Sequence, residues 1–370
     1  TVCCLSRKGL EEDDVVQELL AAGVLCVFNR PLNYQERRED GYLEPLQLFL
    51  LGTSHVADQS ALDVRRLIAA VRPESVVVEL CKSRVGLMAP KDESVDPNGN
   101  GVDGGASVTG SGGGARRLAL GLSGASLPEA LSRSLRLGGQ APLLLRLLLA
   151  KGSGAVAAAM VGGGAGGGNN RQQNPLMETG ADFRAAREAA DAVGAEIVLG
   201  DRPIELTLRR AWLGLSWTEQ LQVIAGLLAV ATTGAATELE ASTVLQAAGG
   251  ARPDDDAVDA MLALLASRFP SASVALVQER DAYLAWSLKR SRAVCGKQRV
   301  VGVVGRAHLA GVAAAIEADR GGDTLVFRDL VRVPKESGGG GGAAALVARL
   351  AGEMVATAVL WDVYQQWNVH

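Results

Sequence analysis

Two short apolar runs, each ending in the same kind of quartet, constrain this chain more than any other feature. Leu48 to Leu51 leads into Gly52-Thr53-Ser54-His55, and Val300 to Val304 leads into Gly305-Arg306-Ala307-His308. A brief run of branched and apolar residues closed by glycine reads as a buried strand that turns at its end. Each histidine then stands just past the carboxyl end of a strand, where open α/β sheets bind their ligands. The chain holds three histidines, and two of them occupy the same place in this pattern; the third, His370, is the last residue.

The intervening sequence supports an α/β fold with a central, largely parallel sheet flanked by helices. After His55, Ala61, Val64, Leu67, Ile68 and Val71 recur at helical spacing, Arg72-Pro73-Glu74 ends that helix, and Ser75 to Leu80 reads as a second strand. Ala181 to Val193 reads as a helix and Glu196 to Leu199 as a strand running into Gly200-Asp201. Helical patterning resumes over Glu205 to Trp212 and Ser216 to Leu245, and again over Ala257 to Arg268 and Glu279 to Arg290. Between them, glycine-rich tracts at 98–114 and 162–168 flank a leucine-rich stretch, 127–150. Such tracts lack the apolar content to offset chain entropy, which predicts a long flexible insertion at about 90–174. The domain plan is an N-terminal extension over 1–45, the α/β domain over 46–333 and, over 334–370, a glycine linker with an apolar helix.

Composition narrows the chemistry. The net charge is −4, with Lys and Arg scattered among Asp and Glu, so no basic stripe marks a nucleic-acid partner. The five cysteines show neither metal-site spacing nor a disulfide framework, which fits a reducing compartment. Neither Ser54 nor Ser83 sits in a Gly-x-Ser-x-Gly elbow, which disfavours a serine hydrolase. Two imidazoles need a carboxylate to make a divalent-metal site, and Glu79, at the end of an apolar strand, is the candidate. Two histidines and one carboxylate form a set that catalytic zinc enzymes use. An equal reading pairs Glu79 with Arg84 or Arg280 as a structural ion pair. Asp201-Arg202 and Glu279-Arg280-Asp281 carry a double reading too, as solvated or capping charges or as a cluster at the sheet edge whose arginine could meet a substrate carboxylate or an oxyanion.

Six blocks in order, Leu51 to Val56, Arg72-Pro73 with Val76 to Arg84, Gly180 to Arg184, Leu199 to Ile204 with Thr207 to Arg210, Glu279 to Asp281 and Val303 to His308, resemble the TraB domain. One departure is Asp182, where the family block usually has glutamate. The broader superfamily includes the Tiki proteins, which are Wnt-inactivating metal-dependent proteases, and bacterial pheromone-shutdown proteins. By matched position the resemblance implies a divalent metal held by His55, Glu79 and His308, with Glu79 and Arg280 catalytic and Arg84, Asp201, Arg202 and Glu279 in support. The sequence looks closest to the intracellular eukaryotic branch, which implies the mitochondrial outer membrane or the endoplasmic-reticulum surface.

Two functions emerge as expectations. One is a metal-dependent, peptidase-like hydrolase acting on a peptide or protein. The other is a non-catalytic adaptor at an organelle membrane, with Ala343 to Trp361 in contact with the membrane or a partner; that stretch reaches the low end of spanning length but contains Arg349 and Glu353.

Overall fold

A computed structural model describes residues 14–32, 42–53, 58–88, 180–216, 218–220, 222, 269–321 and 325–333. They form a five-stranded sheet of order β1-β2-β5-β3-β4, with β1 Leu25–Asn29, β2 Gln47–Thr53, β3 Ser75–Val78, β4 Glu196–Leu199 and β5 Arg299–Gly305. β1 is antiparallel to β2, and every other pairing is parallel. The expected α/β architecture is therefore present. The expected insertion, the helices read over 223–245 and 257–268 and the C-terminal segment lie outside the described residues. Residues assigned to an N-terminal extension supply α1, Asp14–Ala21, and the edge strand β1.

Side chains on a strand alternate between faces, and here each face has its own core. Phe49, Leu51, Val76, Val78, Val301 and Val303 point to one side, against Leu67 and Ile68 of α2, Asp58–Val71, and Phe183 and Ala186 of α3, Ala181–Val193. Leu48, Leu50, Val77, Val300 and Val304 point to the other, against Leu284 and Leu288 of α5, Glu279–Arg290, and Val312 and Ile316 of α6, Arg306–Gly321. A strand buried on both faces needs apolar residues at every position, which is why these runs are unbroken. A third cluster joins Leu208 and Ala211 of α4, Ile204–Gly214, to Phe269 and Leu276. One further helix, α7, spans Phe327–Val331.

Strand order separates two of the candidate site residues. β5, last in the chain, lies between β2 and β3, so Glu79 and the first quartet do not follow adjacent strands. The two quartets do: Gly52 is opposite Val304 and Thr53 opposite Gly305.

A buried charge cluster at the carboxyl edge of the sheet

β2, β5, β3 and β4 all run the same way, so the residues just past their carboxyl ends gather at one edge. Glu79 comes straight after β3, and its N–H continues the ladder to the Val303 carbonyl at 3.1 Å. Gly200 and Asp201 succeed β4, with Asp201 N–H donating to the Leu80 carbonyl at 3.3 Å. His308 sits in the first turn of α6, immediately beyond β5. His55 lies outside the described residues; Thr53 closes β2 just before it.

Arg280, in the first turn of α5, reaches into the middle of these groups. Its Nη2 donates to Glu79 Oε1 at 2.6 Å and to Asp201 Oδ2 at 3.1 Å, and its Nε lies 3.1 and 3.2 Å from the two Asp201 oxygens. Its Nη1 faces His308 Nε2 at 3.2 Å, while Glu79 Oε1 stands 3.3 Å from that nitrogen. Arg84 adds a second cation, donating from Nη2 to Asp201 Oδ2 at 2.8 Å. Glu79 Oε2 accepts the Gly305 N–H at 2.6 Å, which places a carboxylate at the positive N-terminal end of α6. Glu79 is 1% exposed and Arg280 2%, so these pairs act in a low-dielectric setting where an unmatched charge is costly.

Electrostatics around His308 are set by three neighbours. Burial works most strongly against a charged ring, yet the Glu79 carboxylate and the hydrogen bond to Asp281 outweigh it and the opposing Arg280 charge, and the pKa stands above the ordinary histidine value. Burial also pushes the Asp281 carboxyl up, against the pull of His308. The contact between them, Nδ1 to Oδ1, is 2.6 Å.

Neighbours in sequence are parted by the fold. Arg202 leaves this cluster and forms another, donating to Glu279 Oε2 at 2.8 Å, Thr207 Oγ1 at 3.0 Å and the Ala275 carbonyl at 2.6 Å. Glu279 also receives Arg210 as a fork, at 2.5 and 2.6 Å. Burial opposes the ionised form of Glu279, but the bonds from Arg210 and Arg202 prevail and hold its carboxyl below the ordinary range. The same two arginines donate to the Leu330, Asp329 and Arg332 carbonyls and so fasten α7. Ala275 lies in a π-helical turn, Val274–Gln278, directly ahead of α5, an irregularity common beside functional sites. Of the supporting residues expected from sequence, Arg84 and Asp201 thus join Glu79, Arg280 and His308, whereas Arg202 and Glu279 stand in a separate network.

The sequence marks Asp182 and Gly52 without showing what each touches. Asp182, the position that departs from the family block, is fully buried at the start of α3 and takes the Thr53 hydroxyl at 2.6 Å, tying the end of β2 to α3. Gly52 makes room for protein: a Cβ there would stand 2.9 Å from Leu309 Cδ2 of α6.

The chemistry of the donor set bears on the expected metal. Among the described residues no group of three or more His, Cys, Asp or Glu donors converges on one point. Glu79 Oε1 and His308 Nε2, the two expected ligands that are described, are 3.3 Å apart, close to the roughly 3.4 Å between ligand atoms each about 2.1 Å from a tetrahedral zinc. The carboxylate on Nδ1 is also the usual outer partner of a metal-bound histidine. Arg280 is the cation that meets both donor atoms in this structure.

Residues 145–320 match the TraB/PrgY/gumN family. The chain is 27% identical over 328 residues to the TraB domain-containing protein of Bos taurus, covering 85% of this chain and 71% of that one. It is 26% identical over 305 residues to the TraB domain-containing protein of Homo sapiens, covering 79% and 67%. An uncharacterized protein of Methanocaldococcus jannaschii, MJ1365, is 23% identical over 296 residues, covering 78% and 58%. The chain is thus similar to proteins of the TraB/PrgY/gumN family.

Proposed function

We propose that the cluster at the carboxyl edge of the sheet is the site of a metal-dependent, peptidase-like hydrolase, with His55, Glu79 and His308 as ligands. The observation that carries this reading is the convergence of Glu79 Oε1 and His308 Nε2 to 3.3 Å around a position already favourable to a cation. A divalent ion held there would supply a Lewis acid and lower the pKa of a bound water. Arg280 has a second seat on Asp201, with contacts of 3.1 to 3.2 Å that do not depend on Glu79. Its planar fork of donors is therefore anchored beside the ligands, suited to a substrate carboxylate or a developing oxyanion. Arg84 holds Asp201 from the other side and so keeps that anchor in place. Burial of Glu79, Arg84, Asp201, Arg280 and His308 excludes water from charges that would otherwise be screened.

One observation favours a second reading, an adaptor that keeps the fold without catalysis: Arg280 by itself matches Glu79 and Asp201, so the described cluster is paired as it stands. On that reading the partner is a protein at the surface of a mitochondrion or the endoplasmic reticulum. None of the described helices is long and apolar enough to cross a membrane, and the segment Ala343 to Trp361 lies outside them.

The readings part in a thermal melt of chelator-stripped protein with and without added zinc. A ligand that binds only the native state at a hundred times its Kd stabilises it by about 2.7 kcal/mol. The hydrolase reading predicts a rise of that order in the native chain and none in a His55→Ala, His308→Ala double variant. Superimposed melts of the native chain, with a range of divalent ions, would leave the adaptor reading standing.

A further inference from the structure

Asp281 is adjacent in sequence to Arg280, and the proposed ligand set gives it no task. Three observations do. Its Oδ1 lies 2.6 Å from His308 Nδ1. On the other side of the ring, Nε2 faces Arg280 Nη1 at 3.2 Å; a guanidinium can only donate, so a neutral ring meets it with the Nε2 lone pair. Third, the carboxylate is seated against α6 at Gly311, where a Cβ would stand 1.9 Å from Asp281 Oδ2 and 2.7 Å from Cγ. Gly311 is three residues beyond His308 on the same helix, and positions so spaced share a face. The absence of a side chain at Gly311 thus opens a notch beside the ring, and the Asp281 carboxylate fills it.

We infer that Asp281, seated in the Gly311 notch, is a positioning residue that keeps the His308 proton on Nδ1 and turns the Nε2 lone pair toward Glu79 and Arg280. A neutral imidazole can offer its lone pair from either nitrogen, and the partner of the other nitrogen decides which. Here the carboxylate accepts from Nδ1, which leaves Nε2 for the cluster. A metal ligand or a proton acceptor at that place requires this form, so the functional meaning of the inference rests on the hydrolase reading. The tautomer itself exists without metal or substrate.

Ring-nitrogen NMR of the full chain, labelled with 15N-histidine, tests it, with the His308 signals assigned by their loss in His308→Gln. In the native chain the neutral ring is expected to carry its proton on Nδ1. In Gly311→Ala the added methyl meets the movable end of one side chain, so the domain folds but the carboxylate is pushed out of its notch; the neutral ring then loses its Nδ1–H preference. Asp281→Ala is expected to do the same. The inference is overturned if the native neutral ring carries its proton on Nε2, or if Asp281→Ala leaves the Nδ1–H pattern unchanged, whatever the fate of Gly311→Ala. An Nδ1–H ring in a chain whose melts ignore metal would uphold the positioning role and remove only the metal reading.

Discussion

Arg280→Met is expected to cost about 3–5 kcal/mol of folding stability, the usual penalty for removing one partner of a buried ion pair. The loss comes from the charges that the guanidinium leaves behind. Glu79 keeps the Gly305 N–H and the His308 ring, and Asp201 keeps Arg84, but two buried carboxylates then share too little positive charge. Domains are stable by only about 5–15 kcal/mol, so the variant is expected to be partly unfolded at physiological temperature. Arg280→Lys is expected to recover less than half of the loss, because one ammonium cannot reproduce a fork that spans Glu79 and Asp201. Adding Glu79→Gln and Asp201→Asn to Arg280→Met is expected to restore more, since the stranded charges are gone. Urea unfolding checks each step; a loss below about 1 kcal/mol for Arg280→Met would mean that the pairs are looser and wetter than described. Arg202 provides an internal contrast: its acidic partner Glu279 retains the Arg210 fork, so Arg202→Met is expected to cost less.

A comparable loss, about 3 kcal/mol, is expected for Asp319→Ala at the opposite end of the sheet. There the Lys289 ammonium, buried to 2% exposure, lies between Asp319 Oδ2 at 2.6 Å and Glu44 Oε1 at 2.7 Å. The other Asp319 oxygen accepts from Arg290 at 2.6 Å and from the Leu325 N–H at 2.8 Å. Burial raises the Asp319 carboxyl, but the bonds from Lys289, Leu325 and Arg290 together with the Lys289 charge prevail and hold it below the ordinary range. A carboxyl depressed on folding contributes stability that is complete above its unfolded pKa, about 3.9, and is lost as pH falls through the folded value. The native chain should therefore lose stability below about pH 4 more steeply than Asp319→Ala does. Parallel acid profiles of the two proteins would show that this carboxyl does not titrate with folding.

Local elements are legible in the sequence, whereas their arrangement is not. The helix Ala181–Val193, the strand Glu196–Leu199 and the helix Glu279–Arg290 lie where periodicity predicts them. The placement of β5 between β2 and β3 is hidden, because strand order depends on contacts between distant segments rather than on spacing. Glu79, Arg280 and His308 are identifiable as residues that an apolar strand end or a family block singles out. Their companions are harder to choose. Asp201 and Arg202 are consecutive, as are Glu279, Arg280 and Asp281, and neighbours in sequence point in different directions once the backbone turns. Arg280 and Asp281 accordingly face the histidine while Glu279 faces Arg202 and Arg210. Gly311 carries no side chain to notice, and its use appears only when the Asp281 carboxylate is found in its place.

A metal site formed by the paired Gly-x-x-His strand ends and Glu79, with Arg280 beside it, is tested most directly by plasma mass spectrometry of the full chain, purified without chelator or added metal. Near-stoichiometric divalent metal is expected in the native chain, and its loss in the His55→Ala, His308→Ala double variant. A native chain without metal, or equal metal in both proteins, would contradict the site.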